Sequence, residues 1–479
     1  MSRAAIELLD SRRESISAER AEQLGCDKEA DAGTRDAKVQ VFLGLKRRER
    51  HEVWLAETVR ELTYDFNALY DESKRTLYAW DGYRWTPAEG RVRTRVREMM
   101  ASVESGVMMN DAEVSNVYSA FRDTVRAPEV DWNACETVIP FRNGYWDSEH
   151  GVLTAPKPEL LFTYYIDADY REDAGCPRFE KFLQRVLPSE EDRQTLQRYA
   201  GYCLMPSVCY QKSLFLVGKP ATGKSTFLDI LEQTIGAEHS ARVSVHDLQQ
   251  QFGTGPLFGK LLAICGDIPS GALSRVDIFR QIVTDSTIHY NVKFKPQFTA
   301  RNISHLIQTA NQLPRLPSET SDARAATYRR MIVLEFDVEI PPAERVPNLA
   351  ARIVAEERAG IIQWALEGLS QLHSSGGNFG YDESKVREQY ANRTDAIATF
   401  LLECVVPDET GFVSNKELRD AYNDWALANG ENSVRDSQAS HFSRRVRECG
   451  FEPVKRGGAR GFKINAAEPE PEPTEEGEI

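Results

Sequence analysis

One stretch limits what this chain can fold into more than any other: Lys212 to Gly236, KSLFLVGKPATGKSTFLDILEQTIG. Ser213 to Val217 is a short apolar run rich in strand formers, the pattern of a parallel strand buried on both faces. Gly218-Lys219-Pro220-Ala221-Thr222-Gly223-Lys224-Ser225 then fits G-x-x-x-x-G-K-[ST] without a mismatch. Phe227, Leu228, Ile230, Leu231 and Ile235 follow at helical spacing, and Gly236 is a natural helix stop. Strand, loop and helix in this order predict an α/β sheet with a nucleotide-binding P-loop.

The spacing follows from the chemistry. Gly218 and Gly223 let the backbone curl so that N–H groups point inward at phosphate oxygens. The next helix offers the positive end of its dipole to the same phosphates. Lys224 is expected to reach the β- and γ-phosphates, and Ser225 to ligate Mg²⁺. The expected cofactors are therefore ATP and Mg²⁺, held by Gly218, Lys219, Pro220, Ala221, Thr222, Gly223, Lys224, Ser225 and Thr226. A chance match in a Gly-containing turn is the bland alternative.

At 479 residues the chain should hold roughly two to four domains. A net charge of −14 rules out a uniformly basic nucleic-acid coat, so any DNA-binding surface must be local. Part of the negative charge lies in Glu468 to Ile479, with six Glu and no Lys or Arg. The eight cysteines form no C-x-x-C, which excludes a zinc ribbon and a redox pair. No signal peptide and no 18-residue apolar run is present, so a soluble, cytoplasmic protein away from membranes is expected.

Ahead of the P-loop the signals are weaker. Residues 1–75 read as a polar, partly helical N-terminal extension, and 76–175 as a small α+β domain. Leu77 to Trp85 predicts a hairpin turning at Asp81-Gly82, and Phe141 to Trp146 a second at Asn143-Gly144. The run Arg91 to Arg97 is either a solvated face or a nucleic-acid contact. Asp167 and Asp169 resemble a two-metal carboxylate pair, although alternating acids are common on half-exposed strands. Residues 176–208 turn helical, a collar before the P-loop strand.

The ATPase core is expected over 209–340, with a helical segment over 341–395. Lys260 to Asp267 predicts a second apolar strand, delivering Asp267 to the Mg²⁺ shell or merely capping the strand end. Tyr290 to Phe298 interleaves Lys293 and Lys295 with Phe294, either a single-strand DNA contact or an ordinary exposed strand. His305 to Asn311 predicts a third strand, with the Asn311 amide placed to hold an attacking water. Arg329 and Arg330 precede a further strand. They are either a finger for a neighbouring subunit's γ-phosphate or a structural ion pair.

Residues 396–465 predict a winged-helix domain. Ser414-Asn415-Lys416-Glu417 is a capping box that opens one helix. A second spans about Gln438 to Cys449, and VKRGGARGFKI is a basic hairpin. His441, Arg444, Arg445 and Arg447, with Lys455, Arg456 and Arg460 on the wing, are candidate DNA contacts. Winged helices also bind proteins. The tail 466–479 is acidic and Pro-rich and reads as disordered.

The ordered set of P-loop, KLLAICGD strand, FKPQF loop, strand ending in TAN, and Arg-Arg-Met resembles superfamily 3 helicases. Within these it resembles the phage and plasmid primase–helicase branch that includes the poxvirus primase–helicases. FRNGYWDSEHGVLTAP before the core and ERAGIIQW after it extend the resemblance to roughly residues 75–465. The resemblance implies an AAA+-like core and a ring, usually hexameric, that threads one strand of forked DNA 3′ to 5′. It implies Lys224 and Ser225 for nucleotide and Mg²⁺, Asp267 for the metal, Asn311 as sensor, Arg330 as finger in trans, and Lys293 and Lys295 facing a pore. Many such ATPases carry two acids where this chain has Gly266-Asp267, so the water-activating base stays open. No primase active site is recognisable in the N-terminal part, so the resemblance carries over the helicase and not the primase; a separate primase or a loader is one further partner to expect. Two other classes remain: a DNA-binding initiator that uses ATP as an assembly switch, and a P-loop kinase or other NTPase without nucleic acid.

Overall fold

The computed structural model describes residues 47–102, 111–248, 250–266, 276–293, 297–314, 321–387, 396–408, 411–428 and 433–466. They fall in two compact units, Met1–Tyr381 and Asp382–Ile479.

The first unit begins with α1 (Arg47–Asp65), β1 (Ala68–Asp71), β2 (Thr76–Trp80), β3 (Trp85–Pro87), α2 (Glu89–Ser102), α3 (Asp111–Thr124) and β4 (Arg126–Ala127). The strands form a sheet in the order β3-β2-β1-β4, with only the β1–β4 pair parallel. One face buries Leu77 and Ala79 against Leu62, Val92, Val117 and Phe121 of the helices. The other buries Leu69, Tyr78 and Trp85 with Trp132.

Three sequence expectations meet this module. Asp71 pairs with Thr76 across a hairpin, so a boundary at residue 75 cuts one sheet, and α1 and β1 belong to the module rather than to an extension. Trp80 pairs with Trp85, so the loop has four residues, not two. The Asp81 carboxylate shapes it by accepting the N–H groups of Tyr83 and Arg84, both at 2.9 Å. The basic run 91–97 is helical: Val92 and Val96 are buried, while Arg93, Arg95 and Arg97 pair with Glu89, Asp65 and Asp111.

A meander follows: β5 (Val138–Phe141), β6 (Gly144–Asp147) and β7 (Val152–Thr154). Phe141 pairs with Gly144, which puts Arg142-Asn143 at the tip, one residue before the expected turn. Asp169 binds Arg142 at 2.9 Å. Asp167 binds Arg358 at 2.8 Å and lies 3.8 Å from Arg142. Guanidinium groups stand where a two-metal pair would need its ions, which corrects that reading.

The core then runs α4 (Pro177–Val186), α5 (Glu190–Tyr202), β8 (Ser213–Val217), α6 (Lys224–Ile235), β9 (Ser240–Arg242), β10 (Leu262–Cys265), α7 (Val276–Thr284), β11 (Thr287–Tyr290), β12 (Phe298–Arg301), β13 (His305–Ala310), α8 (Ser321–Tyr328), β14 (Met331–Glu335) and α9 (Leu349–Ser374). The five-stranded sheet has the order β14-β8-β13-β10-β9, every pair parallel. β8, β10 and β13 are buried at every position, as strands covered on both faces must be. β13 is the fourth strand of this sheet in chain order, not the third, because β9 precedes β10. The stretch Tyr290–Phe298 is not one strand. It joins β11 to β12, which pair antiparallel.

α9 closes the core. It crosses α5 at backbone contact: a Cβ on Gly201 would lie 2.3 Å from the Ala365 carbonyl oxygen, and one on Gly368 2.3 Å from that of Gln197. Its buried Glu357 accepts the N–H groups of Arg178 and Phe179, both at 2.9 Å. These are orphan donors of the first turn of α4, which has no side-chain cap of its own.

The second unit contains α10 (Ala396–Cys404), β15 (Val405–Pro407), β16 (Val413–Ser414), α11 (Asn415–Ala428), α12 (Ala439–Glu448), β17 (Pro453–Arg456), β18 (Ala459–Phe462) and β19 (Ile464–Ala466). Its sheets are β16-β18-β17 and β15-β19. Phe400, Leu418, Tyr422, Phe442, Val446 and Phe462 form its core. Ser414 and Glu417 exchange hydrogen bonds at 2.9 and 3.2 Å, a reciprocal cap at the start of α11. Gly457 and Gly458, at φ 57° and 89°, make the two-residue turn between β17 and β18. Among the described residues no helix is long and apolar enough to cross a membrane.

Candidate nucleotide-binding site

The loop between β8 and α6 is held from three sides. The Gly218 N–H donates to the Ala310 carbonyl at the end of β13, at 3.2 Å. The Ile340 N–H, beyond β14, donates to the Ala221 carbonyl at 2.9 Å. Val186 of α4 lies under Gly223, where an added Cβ would meet its Cγ1 at 2.7 Å. Gly218 (φ 153°), Ala221 (φ 61°) and Gly223 (φ 94°) all have positive φ. Ala221 does so despite its Cβ, a conformation that costs about 1–2 kcal/mol and persists because the surroundings fix it.

Lys224 is folded back over this loop. Its Nζ donates to the carbonyls of Gly218 and Lys219, both at 2.6 Å, and lies 3.3 Å from Thr222 Oγ1. Thr222 in turn donates to the Lys219 carbonyl at 2.9 Å. The side chain is almost fully buried, so its ammonium is preorganised at the loop rather than free in solvent. Lys219, Pro220, Ala221 and Ser225 are exposed, and Thr226 is half-buried. Ser225 presents its hydroxyl in the first turn of α6, where backbone donors and helix dipole favour anions. This donor set fits a polyphosphate with a hard cation beside it.

Neighbouring strand ends complete the cleft. Ala310 pairs with Val217, so exposed Asn311 follows β13 beside Gly218. Gly266 follows β10, close to the Thr309 side chain of β13. Asp267 and Lys295 lie outside the described residues.

Arg329 and Arg330 are not in this cleft. Met331 pairs with Ser213, the first residue of β8, whereas the loop leaves its last residue. Four strand steps, roughly 13 Å, separate the two ends. Arg329 is exposed. Arg330 is half-buried, with one guanidinium nitrogen on the Ala326 carbonyl and Nε buried without an acceptor. Burial, then the charges of Arg329 and Arg280, pull its pKa below the usual guanidinium range. Lys293 is exposed in the loop between β11 and β12.

In the second unit, Arg444 and Arg445 reach Glu448 at 3.8 and 2.9 Å, and the Arg447 Nε donates to the Ser443 carbonyl at 3.2 Å. Lys455 stands directly opposite Arg460 across the β17–β18 hairpin, and both are exposed, as is Arg456. Sequence reading had no signal for the supports of the loop, because Val186 and Ile340 are ordinary apolar residues far from it in the chain.

Comparison with known proteins adds the following. A family model described as D5 N terminal like matches residues 57–188, and one described as a family of unknown function (DUF5906) matches residues 216–330. A putative helicase of Acanthamoeba polyphaga mimivirus is 28% identical to the chain over 104 residues; the match spans 21% of this chain and 11% of the viral protein. Two apo structures of the NrS-1 C-terminal region align over 86% of this chain and 99% of theirs, both with a TM-score of 0.47, at 13% and 14% identity. The chain is thus similar in sequence, over about a fifth of its length, to one viral protein named as a putative helicase.

Proposed function

We propose that this chain is an ATP-dependent DNA helicase motor of phage, prophage or plasmid replication, cytoplasmic in its host, with an AAA+-like P-loop core and a C-terminal winged helix. One observation carries the reading most. The Gly218–Thr226 loop sits at the C-terminal edge of an all-parallel sheet, and Arg330 sits at the opposite edge of the adjoining strand. An arginine so placed serves a neighbour's phosphates, not its own, which makes a ring of copies the working form. The matches to a D5 N-terminal-like model and DUF5906, a combination typical of phage and viral primase–helicases, support a replication role.

In this reading the loop N–H groups and Lys224 bind the β- and γ-phosphates of ATP. Ser225 and Asp267 would hold Mg²⁺, which neutralises charge developing on the phosphates. Asn311 positions the attacking water, and Arg330 from the adjacent copy stabilises the transferring phosphoryl group. Lys293, in the loop between β11 and β12, and Lys295, two positions on in the chain, contact the translocating single strand. The second unit, with helices α11 and α12 followed by the β17–β18 hairpin, binds duplex DNA through Arg444, Arg445, Arg447, Lys455, Arg456 and Arg460. The opposed charges of Lys455 and Arg460 favour this, since like charges across a hairpin repel until an anion lies between them.

The test is ATP-dependent unwinding of a forked DNA by the wild type beside Lys224→Ala. Unwinding by the wild type alone supports the motor. DNA-stimulated hydrolysis without unwinding transfers support to the initiator that uses ATP as an assembly switch.

A further inference from the structure

A cavity of about 380 Å³ lies in the first unit, away from the loop that follows β8. Glu238 and His239, just before β9, and Gly259 and Lys260, just before β10, form one wall. They place it at the N-terminal edge of the parallel sheet, the edge opposite the Gly218–Thr226 loop. Thr287 and Arg301, the outer ends of the β11–β12 hairpin, line it too. The facing wall comes from β2, β3 and residues 129–133.

Two kinds of side chain converge there. Tyr78 and Trp132, with ring centroids 4.4 Å apart, line one wall, and Phe258 lines the other. Arg84, Lys260 and Arg301 supply cations from both walls. Arg301 pairs with Asp131 at 3.0 Å and Arg84 with Glu238 at 2.9 Å; the buried Arg84 Nε lies 3.8 Å from the Asp81 carboxylate and makes no hydrogen bond among the described residues. Among the described residues Lys260 makes no ion pair: its ammonium donates to the Glu238 main-chain carbonyl, and burial draws its pKa down against the raising charge of Glu238. An anion beside it would raise that pKa again. The volume is that of a small-ligand site. Rings on opposing walls with cations between them match a flat heterocycle carrying phosphate.

We propose that this cavity binds one nucleotide unit, base among the rings and phosphate at Arg84, Lys260 and Arg301, as a second site independent of the Gly218–Thr226 loop. The unit comes either from free nucleotide or from a DNA strand that leaves the β11–β12 hairpin.

The test uses the full chain carrying Lys224→Ala, which silences the first site. Tryptophan fluorescence is read while thymidine monophosphate, or a short 5′-phosphorylated oligothymidylate, is added. Saturable quenching at one equivalent per chain is expected. Adding Lys260→Gln, or separately Arg301→Gln, should weaken it about tenfold or more, the loss of one charge-assisted hydrogen bond, with an unchanged melting temperature. Response to the mononucleotide identifies free nucleotide; response to the oligonucleotide alone identifies the strand. No quenching by either probe, or quenching that both substitutions leave intact, overturns the proposal. The first-site reading is scored separately, by whether Lys224→Ala abolishes ATP binding.

Discussion

The carbonyl of Arg330 accepts hydrogen bonds from both the N–H and the hydroxyl of Ser213, at 2.7 and 3.0 Å. The phosphate loop leaves the far end of the strand that Ser213 begins. Arg330 is therefore fixed a strand-length from its own loop by backbone pairing, and no side-chain motion carries it there. Arg330→Ala should spare ATP binding and lower turnover roughly a thousandfold or more, the usual loss for a transferred-phosphoryl arginine. Mixing it with Lys224→Ala should restore part of the activity, since one interface then holds both intact groups. Steady-state ATPase across mixing ratios checks this; no recovery at any ratio argues against action between copies.

Gly223→Ala adds a Cβ at φ 94°, 2.7 Å from Val186 Cγ1. The left-handed backbone costs about 1–2 kcal/mol and the overpacking about 1–3 kcal/mol. A melting temperature unchanged from the wild type would contradict the geometry. Coupling Gly223→Ala to Val186→Ala should recover the overpacking part only.

Glu357→Ala leaves the buried N–H of Phe179 without its acceptor and hands the part-buried N–H of Arg178 to solvent. A buried orphaned donor costs about 1–3 kcal/mol, so a loss of at least about 1 kcal/mol is expected in denaturant unfolding of the first unit. Glu357→Gln, which can still accept, should lose less.

His239 and His305 are nearly inaccessible. Burial, followed by the charges of Arg84 and Lys260, pushes His239 down to about 3. Burial pushes His305 down to about 4, partly opposed by the Met205 carbonyl. Both are neutral when folded and take up a proton more readily when unfolded. Stability should therefore hold above the unfolded histidine value near 6.5 and fall as pH drops from there toward 4. Each histidine contributes a slope on the order of 1.4 kcal/mol per pH unit. Thermal melts across that range check it, and His239→Gln should flatten the curve.

Lys455→Thr should stabilise the second unit slightly, by roughly 0.2–1 kcal/mol, because it removes the like charge opposite Arg460. The same change should weaken duplex DNA binding and reduce its salt slope by about one. Stabilisation without loss of DNA affinity would remove the hairpin from the interface.

The centre of the fold was legible because physics repeats itself there. SLFLV, LAIC and HLIQTA are continuous buried runs, and the loop glycines announce their own backbone angles. The opening of α11 was legible for a similar reason, since Ser414 and Glu417 sit at capping-box spacing. β9 was not, because Ser240-Ala241-Arg242 is three residues long with one apolar position. It becomes a strand only through pairing with β10. The hairpin tip at Arg142-Asn143 was misplaced by one residue, because register, not the Asn-Gly signal, decided which residues pair. Arg91 to Arg97 left a solvated face and a nucleic-acid contact both open until Val92 and Val96 found a shared core and Arg93, Arg95 and Arg97 their carboxylates. The cavity at Lys260 lay beyond sequence reading altogether: the cations proposed for the phosphate stand at positions 84, 260 and 301, and only the tertiary fold brings them together.

The cap that Glu357 places on α4 joins residues 178 positions apart or more. During synthesis, α4 leaves the ribosome long before its cap exists. At about 5–20 residues per second the interval is roughly 10–40 s. Through that interval the apolar side of α4, with Phe179, Phe182 and Leu183, lacks the helix that finally covers it. The emerging chain therefore carries a defined apolar surface, one that disappears once α9 docks.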